Sequence, residues 1–169
     1  AEERLREIAE EKFRGSLLSP DFRAFKWPRL LSFFAAFVSW DSERRADIER
    51  IEVEQSGKLP IGLSDGSTFT LRGRADRFEF AADKSVVIID YKSGVQPSKK
   101  LVKTGLSPQL TLEAAMVAAG AFACAPAGTH VSAAFYVPIG RDGDVAEDNA
   151  LDKGDDINAV AQEHLQGLR

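Results

Sequence analysis

The stretch "LRGRADRFEFAADKSVVIIDYKSG", residues 71–94, decides the fold. It reads as a hairpin: an alternating run up to Phe80, the short loop "AADKS", and then "SVVIIDYK", apolar on both faces as a central strand is. The aliphatic run Val86 to Ile89 ends in Asp90, Tyr91 and Lys92, and a further acid, Asp76, lies on the preceding segment. Burying charge is costly unless it is paired or ligates a metal. Side chains at i and i+2 of a strand share a face, so Asp90 and Lys92 point one way and Tyr91 the other. A turn centred on Asp83 sets Asp76 across from Asp90, and opposed residues on one face have Cβ atoms about 4.5–5.5 Å apart. Two carboxylates so close repel, which raises a pKa or calls for a cation between them. A hard divalent cation suits that pair, because Mg²⁺ takes one or two carboxylates and completes its shell with water and substrate phosphate. Lys92 beside them could neutralise charge, orient a water or stabilise a developing oxyanion. A cross-strand Asp–Lys or Asp–Arg pair that only stabilises the hairpin fits the spacing equally well.

Upstream, "AEERLREIAEEKFR" has Leu5, Ile8 and Ala9 at helical spacing and ends at Gly15. A second helix is expected from near Pro28, with a stripe of Phe33, Phe34, Phe37 and Trp40 that reads as core packing. "ERIEVEQS" alternates as a strand and is followed by a Gly/Pro/Asp-rich connection. Downstream, "LSPQLTLEAAMVAAGAF" is helical, with Ser107 a candidate cap and Pro108 near the start. "HVSAAFYVPI" reads as a strand, "RDGDVAEDNALDKGDD" as a polar connection, and residues 156–167 as a last helix. The order helix, helix, three strands, helix, strand, helix predicts an α/β fold, a mixed and mainly antiparallel central sheet flanked by helices.

At 169 residues the chain is one domain's worth. Residues 1–140 form the body and residues 141–169 an acidic connection and C-terminal helix of the same domain. No segment approaches the roughly 18 apolar residues of a membrane span. Cys124 stands alone, which rules out an intramolecular disulfide and any cysteine-based zinc or iron–sulfur site. A reduced, cytoplasmic setting is expected, and Cys124 reads as a small buried residue. The net charge of −4 is uneven: residues 141–169 hold eight acids and three bases, while residues 72–103 hold eight bases and four acids. That local excess of bases suits a phosphate-bearing partner, and a solvated rim is the plainer reading.

"GRADR", the hairpin, "VVIIDYKSG" and "PQLTLEAAM", taken in order over residues 50–137, resemble the RecB-like branch of the PD-(D/E)XK nuclease superfamily. They are most similar to the C-terminal domain of AddB-type helicase–nuclease subunits. The resemblance implies a restriction-endonuclease-like core and a Mg²⁺-dependent (Mn²⁺ possible) exonuclease acting on double-strand DNA breaks. It also implies DNA and an AddA-type helicase subunit as partners, with a nuclease-like module that binds without cutting as the alternative. It assigns metal to Asp76, Asp90 and the backbone carbonyl of Tyr91, catalysis to Lys92, and support of the site to Gln109. Two positions depart from the pattern. Glu113 stands where the family often has a tyrosine, so any aromatic contact there is lost. No histidine precedes residue 50 to match the family's upstream metal ligand, since His130 and His164 lie downstream. The chain is therefore expected to begin after that motif and to bind metal weakly. Glu52 or Glu54 could approach the site, although a solvated strand face is the expectation. The iron–sulfur cysteines of some relatives are not matched, so no cluster is expected.

Overall fold

The computed structural model describes residues 1–139 and 145–169. Five strands form one sheet in the order β1 (Arg50–Gly62), β2 (Thr68–Phe80), β3 (Val86–Lys92), β4 (Val131–Pro138) and β5 (Asp148–Asn149). All neighbours are antiparallel except β3 and β4, which run parallel. A parallel pair needs a crossover, and α3 (Lys99–Lys103) and α4 (Gln109–Ala118) supply it. The helices α1 (Glu2–Lys12) and α2 (Trp27–Arg44) precede the sheet, and α5 (Ile157–Gln166) follows it. The result is the mixed, mainly antiparallel sheet with flanking helices that the sequence predicts.

The strand β1 extends past "ERIEVEQS" through the Gly/Pro segment expected to be a connection. Two features permit this. β1 is the sheet edge, where Pro60 can lack an N–H without breaking a ladder. A side chain at Gly57 would place its Cβ 2.8 Å from the Phe122 ring, so glycine alone lets the strand pass. The reversal is a tight turn in which Ser67 N–H donates to Asp65 Oδ1 at 2.9 Å and Gly66 takes φ +82°.

The β2–β3 pairing runs from Phe80↔Val86 to Arg77↔Ile89, the register that aims Asp76 at Asp90. It stops one step short of that pair. Tyr91 N–H instead donates to the Asp76 side chain, Oδ2, at 2.8 Å, so a carboxylate continues the ladder where the backbone leaves it. β1 is interrupted at the same level. Val53 pairs with Arg77 and Gln55 with Ala75, while Glu54 between them adopts a left-handed φ of 55°. For a non-glycine residue that conformation costs about 1–2 kcal/mol.

The sheet has two unlike faces. On one, Phe78, Phe80, Val86, Ile88 and Ala134 pack with Leu110, Ala114 and Val117 of α4 and with Val160 of α5. On the other, α2 lies across Arg77, Glu79 and Tyr91, and its aromatic stripe packs only in part: Phe33 is buried, while Phe34, Phe37 and Trp40 are half-buried, Phe37 packing on Phe33 and Trp40 and meeting the Tyr91 ring edge-on at 5.9 Å. The connection expected between Arg141 and Asp156 is only partly that. Residues 140–144 lie outside the described residues, but Asp148–Asn149 pair with β4, and Ala150 and Leu151 are buried. Two further expectations are corrected. Ser107 does not cap α4; its N–H is drawn back to the Leu101 carbonyl, and Pro108 occupies the cap without a side-chain bond. Cys124 is half-buried at the core margin rather than enclosed.

Candidate active site

The carboxylate end of β3 meets the first turn of α4. Asp90 is 4% exposed, although it carries a charge that nothing in a hydrophobic core would favour. Its Oδ2 lies 2.8 Å from Lys92 Nζ, and its Oδ1 accepts from Gln109 Nε2 at 2.5 Å. Lys92 Nζ also donates to Gln109 Oε1 at 2.8 Å. The Gln109 amide is thus read in one orientation, its nitrogen toward carboxylate and its oxygen toward ammonium. Strand periodicity puts Asp90 and Lys92 on one face, and the start of α4 puts Gln109 against both. Asp76 reaches in from the end of the β2–β3 ladder through its bond to Tyr91 N–H. The structure therefore brings Asp76, Asp90, Lys92 and Gln109 together, with the Tyr91 main chain between them.

Two residues that the sequence reading did not place here complete the group. Glu113, one helical turn past Gln109, is 4% exposed and accepts from Gln109 Nε2 at 3.3 Å. The i, i+4 spacing of Gln109 and Glu113 was a readable signal. Tyr136 pairs with Asp90 across the parallel β3–β4 ladder, and Lys92 Nζ lies 5.6 Å from its ring centre. No sequence signal could identify it, because the strand pairing had first to be known. Asp90 Oδ2, Glu113 Oε2 and the Tyr136 hydroxyl are all buried without a hydrogen-bond partner. The contact of Asp90 Oδ2 with Lys92 is close enough for an ion pair but poorly aligned for a hydrogen bond.

The electrostatics follow from this crowding. Burial raises the Asp90 pKa, opposed by Lys92 and Gln109 and reinforced by Asp76. Burial pushes Glu113 up to about 8, with Asp90 and Asp76 adding to the rise. The Tyr136 hydroxyl is raised by burial and then by the two acids facing it, Asp90 and Glu113. Three acids face one ammonium, and Glu113 meets that shortage by keeping its proton up to about pH 8. The Asp90 and Asp76 carboxylates supply oxygen donors of the kind a hard divalent cation takes. Among the described residues no group of three or more His, Cys, Asp and Glu is gathered as a metal centre. Glu52 and Glu54 are turned to Arg50 and Arg74, and His164 is held by Thr111 Oγ1 at 2.7 Å and the Lys103 carbonyl at 3.2 Å. A cleft beside the cluster is lined by Arg72, Arg74, Gln109, Leu112, Glu113 and Met116.

Behind the sheet a second polar cluster is arranged differently. Arg77 Nη1 donates to Asp41 Oδ1 at 2.6 Å and to the Tyr91 hydroxyl at 3.3 Å, and its Nη2 lies 2.7 Å from Glu79 Oε1. Arg44 bridges Glu79 and Glu147 at 2.7 and 2.9 Å, and Trp40 Nε1 donates to Glu147. Although burial opposes it, Arg45 and Arg77 hold Asp41 below the usual carboxylate range.

Comparison with known proteins fits this geometry. The family model of the PD-(D/E)XK nuclease superfamily matches residues 1–169. An uncharacterized protein of Rickettsia felis is 36% identical over 109 residues, 64% of this chain and 12% of its own length. One of Rickettsia conorii is 35% identical over 108 residues, 63% of this chain and 13% of its own. The chain thus spans about an eighth of these curated relatives. The crystal structure of SSO0001 aligns over 99% of this chain and 71% of its own at 16% identity and TM-score 0.39, a likeness too weak to bear on fold or function.

Proposed function

Because this chain belongs to the PD-(D/E)XK nuclease superfamily, we propose that it is a Mg²⁺-dependent deoxyribonuclease domain, residues 1–140 and 141–169 acting as one unit. Its mainly antiparallel sheet and flanking helices are those of a restriction-endonuclease-like core. Asp76, Asp90 and the Tyr91 carbonyl would hold Mg²⁺ or Mn²⁺, and the ion when bound would polarise a phosphodiester and acidify water. Lys92 presents its ammonium to the charge that develops on the phosphoryl group. Gln109 keeps that ammonium in place, and Asp90 gains from burial a stronger field in which to act. The observation that carries the reading is the buried Asp90, held by Lys92 and Gln109 beside Asp76.

The finer reading is an exonuclease within an AddB-type subunit that works with an AddA-type helicase on broken DNA ends. The ordered motifs around Asp76, Asp90 and Gln109 support it. A second reading, a nuclease-like module that binds DNA or a helicase partner without cutting, is favoured by the want of a third gathered metal-ligating side chain among the described residues. Degradation of linear DNA at saturating Mg²⁺ separates the two. Lys92→Ala should lower the rate by about 10²–10³. An unchanged rate in that variant removes Lys92 from the chemistry, and no degradation by wild type leaves the binding module as the better account.

A further inference from the structure

We infer that Lys92 is the resident counter-ion of the metal-free site, occupying the Asp90 oxygen that a divalent cation must take and giving it up when the cation enters. This rests on the reading of Asp76 and Asp90 as metal ligands but concerns a property of Lys92 that catalysis does not require. Three observations carry it. Asp90 Oδ2 is buried, and the close contact it makes is with Lys92 Nζ, at 2.8 Å. That contact is an ion pair between one ammonium and one carboxylate oxygen, and a divalent ion brings twice the charge to compete for the same oxygen. The ammonium has a place to go, because Gln109 Oε1 already accepts from it at 2.8 Å and the Tyr136 ring lies beneath it at 5.6 Å. Lys92 can therefore release Asp90 by a small rotation about its long side chain while Gln109 keeps it in the site.

The consequence runs against intuition for a residue assigned to catalysis. Each cation that binds must displace one positive charge and then sit beside it, so Lys92 weakens metal binding. The test is calorimetric titration of Mn²⁺ into wild type, Lys92→Met, Lys92→Arg and Asp90→Asn without DNA, with metal-induced shifts in melting temperature measured in parallel. Lys92→Met should bind Mn²⁺ at least about tenfold tighter than wild type, since opposite charge is all that holds the competitor on Asp90. Lys92→Arg, which keeps the charge, should stay at or below wild-type affinity, and Asp90→Asn should lose binding. The melting shift on adding Mn²⁺ should be largest for Lys92→Met. Equal or weaker Mn²⁺ binding by a folded Lys92→Met overturns the counter-ion role while leaving the nuclease reading intact. Tighter binding by Lys92→Arg as well overturns it too, because shape rather than charge would then be the cause. Absence of Mn²⁺ binding in all four proteins, together with inactivity of wild type on DNA, overturns the nuclease reading on which the role depends.

Discussion

The two faces of the central sheet each bury a cluster of charges, and they solve the problem in opposite ways. Under α2, the guanidinium groups of Arg77 and Arg44 bridge Asp41, Glu147 and the buried Glu79, so each acid has an arginine against it. Under α4, Asp76, Asp90 and Glu113 share a single ammonium, that of Lys92. Charge that serves only to dock a helix is expected to be matched, since an unmatched buried charge costs several kcal/mol. An excess of acids over bases raises a pKa or favours a cation between them. The contrast assigns scaffold to one face and chemistry to the other, and Tyr91 joins them: its hydroxyl is held by Arg77 on the α2 face while its N–H holds Asp76.

Breaking the matched cluster should therefore unfold the protein before it touches the chemistry. Arg77→Met leaves the buried Glu79 to Arg44 alone and Asp41 to Arg45 alone, and should cost about 3–5 kcal/mol in urea unfolding. A loss under about 1 kcal/mol would mean that the network is not what docks α2.

The unmatched cluster should respond with the opposite sign. Glu113 ionises near 8 in the folded protein and near 4.5 as an ordinary glutamate, so the folded state holds a proton that the unfolded chain releases between those values. Its contribution is present in full below pH 4.5 and is lost as the pH rises through 8. The metal-free protein should lose stability over that window, and Glu113→Gln should flatten the slope and stabilise by about 2–4 kcal/mol at pH 8. Chemical unfolding at pH 5 and pH 8 reads both effects, and equal slopes in the two proteins would remove Glu113 from the cluster.

A smaller effect tests the edge strand β1, which flanks the strand that carries Asp76. Gly57→Ala sets a methyl 2.8 Å from the Phe122 ring and should cost about 1–3 kcal/mol by thermal melting. A neutral result would show that β1 can shift without loss.

How much of this was legible in the sequence follows from range. The aliphatic run before Asp90 and the short loop after Phe80 are local signals, and they placed the hairpin, its register and the shared face of Asp90 and Lys92. Ser107 misled because the helix begins one residue later than read, with Pro108 rather than Ser107 at the cap position. The length of β1 was hidden because Gly57 and Pro60 look like breakers unless the Phe122 contact and the edge position are known. Glu113 read as a lost aromatic, whereas the helix turns it inward against Gln109. Tyr136 needed the parallel β3–β4 pairing, which joins residues far apart in the chain.

The division of labour between the faces is tested most directly by one paired measurement on Asp90→Asn: Mg²⁺-dependent cleavage of end-labelled linear DNA, with the unfolding midpoint of the same sample. The Asp90 environment already disfavours its charged form, so the neutral amide should keep or raise the midpoint while cleavage falls by at least about 10². An Asp90→Asn protein that cleaves at the wild-type rate, or that loses cleavage only because it has unfolded, would contradict the assignment of chemistry to the α4 face.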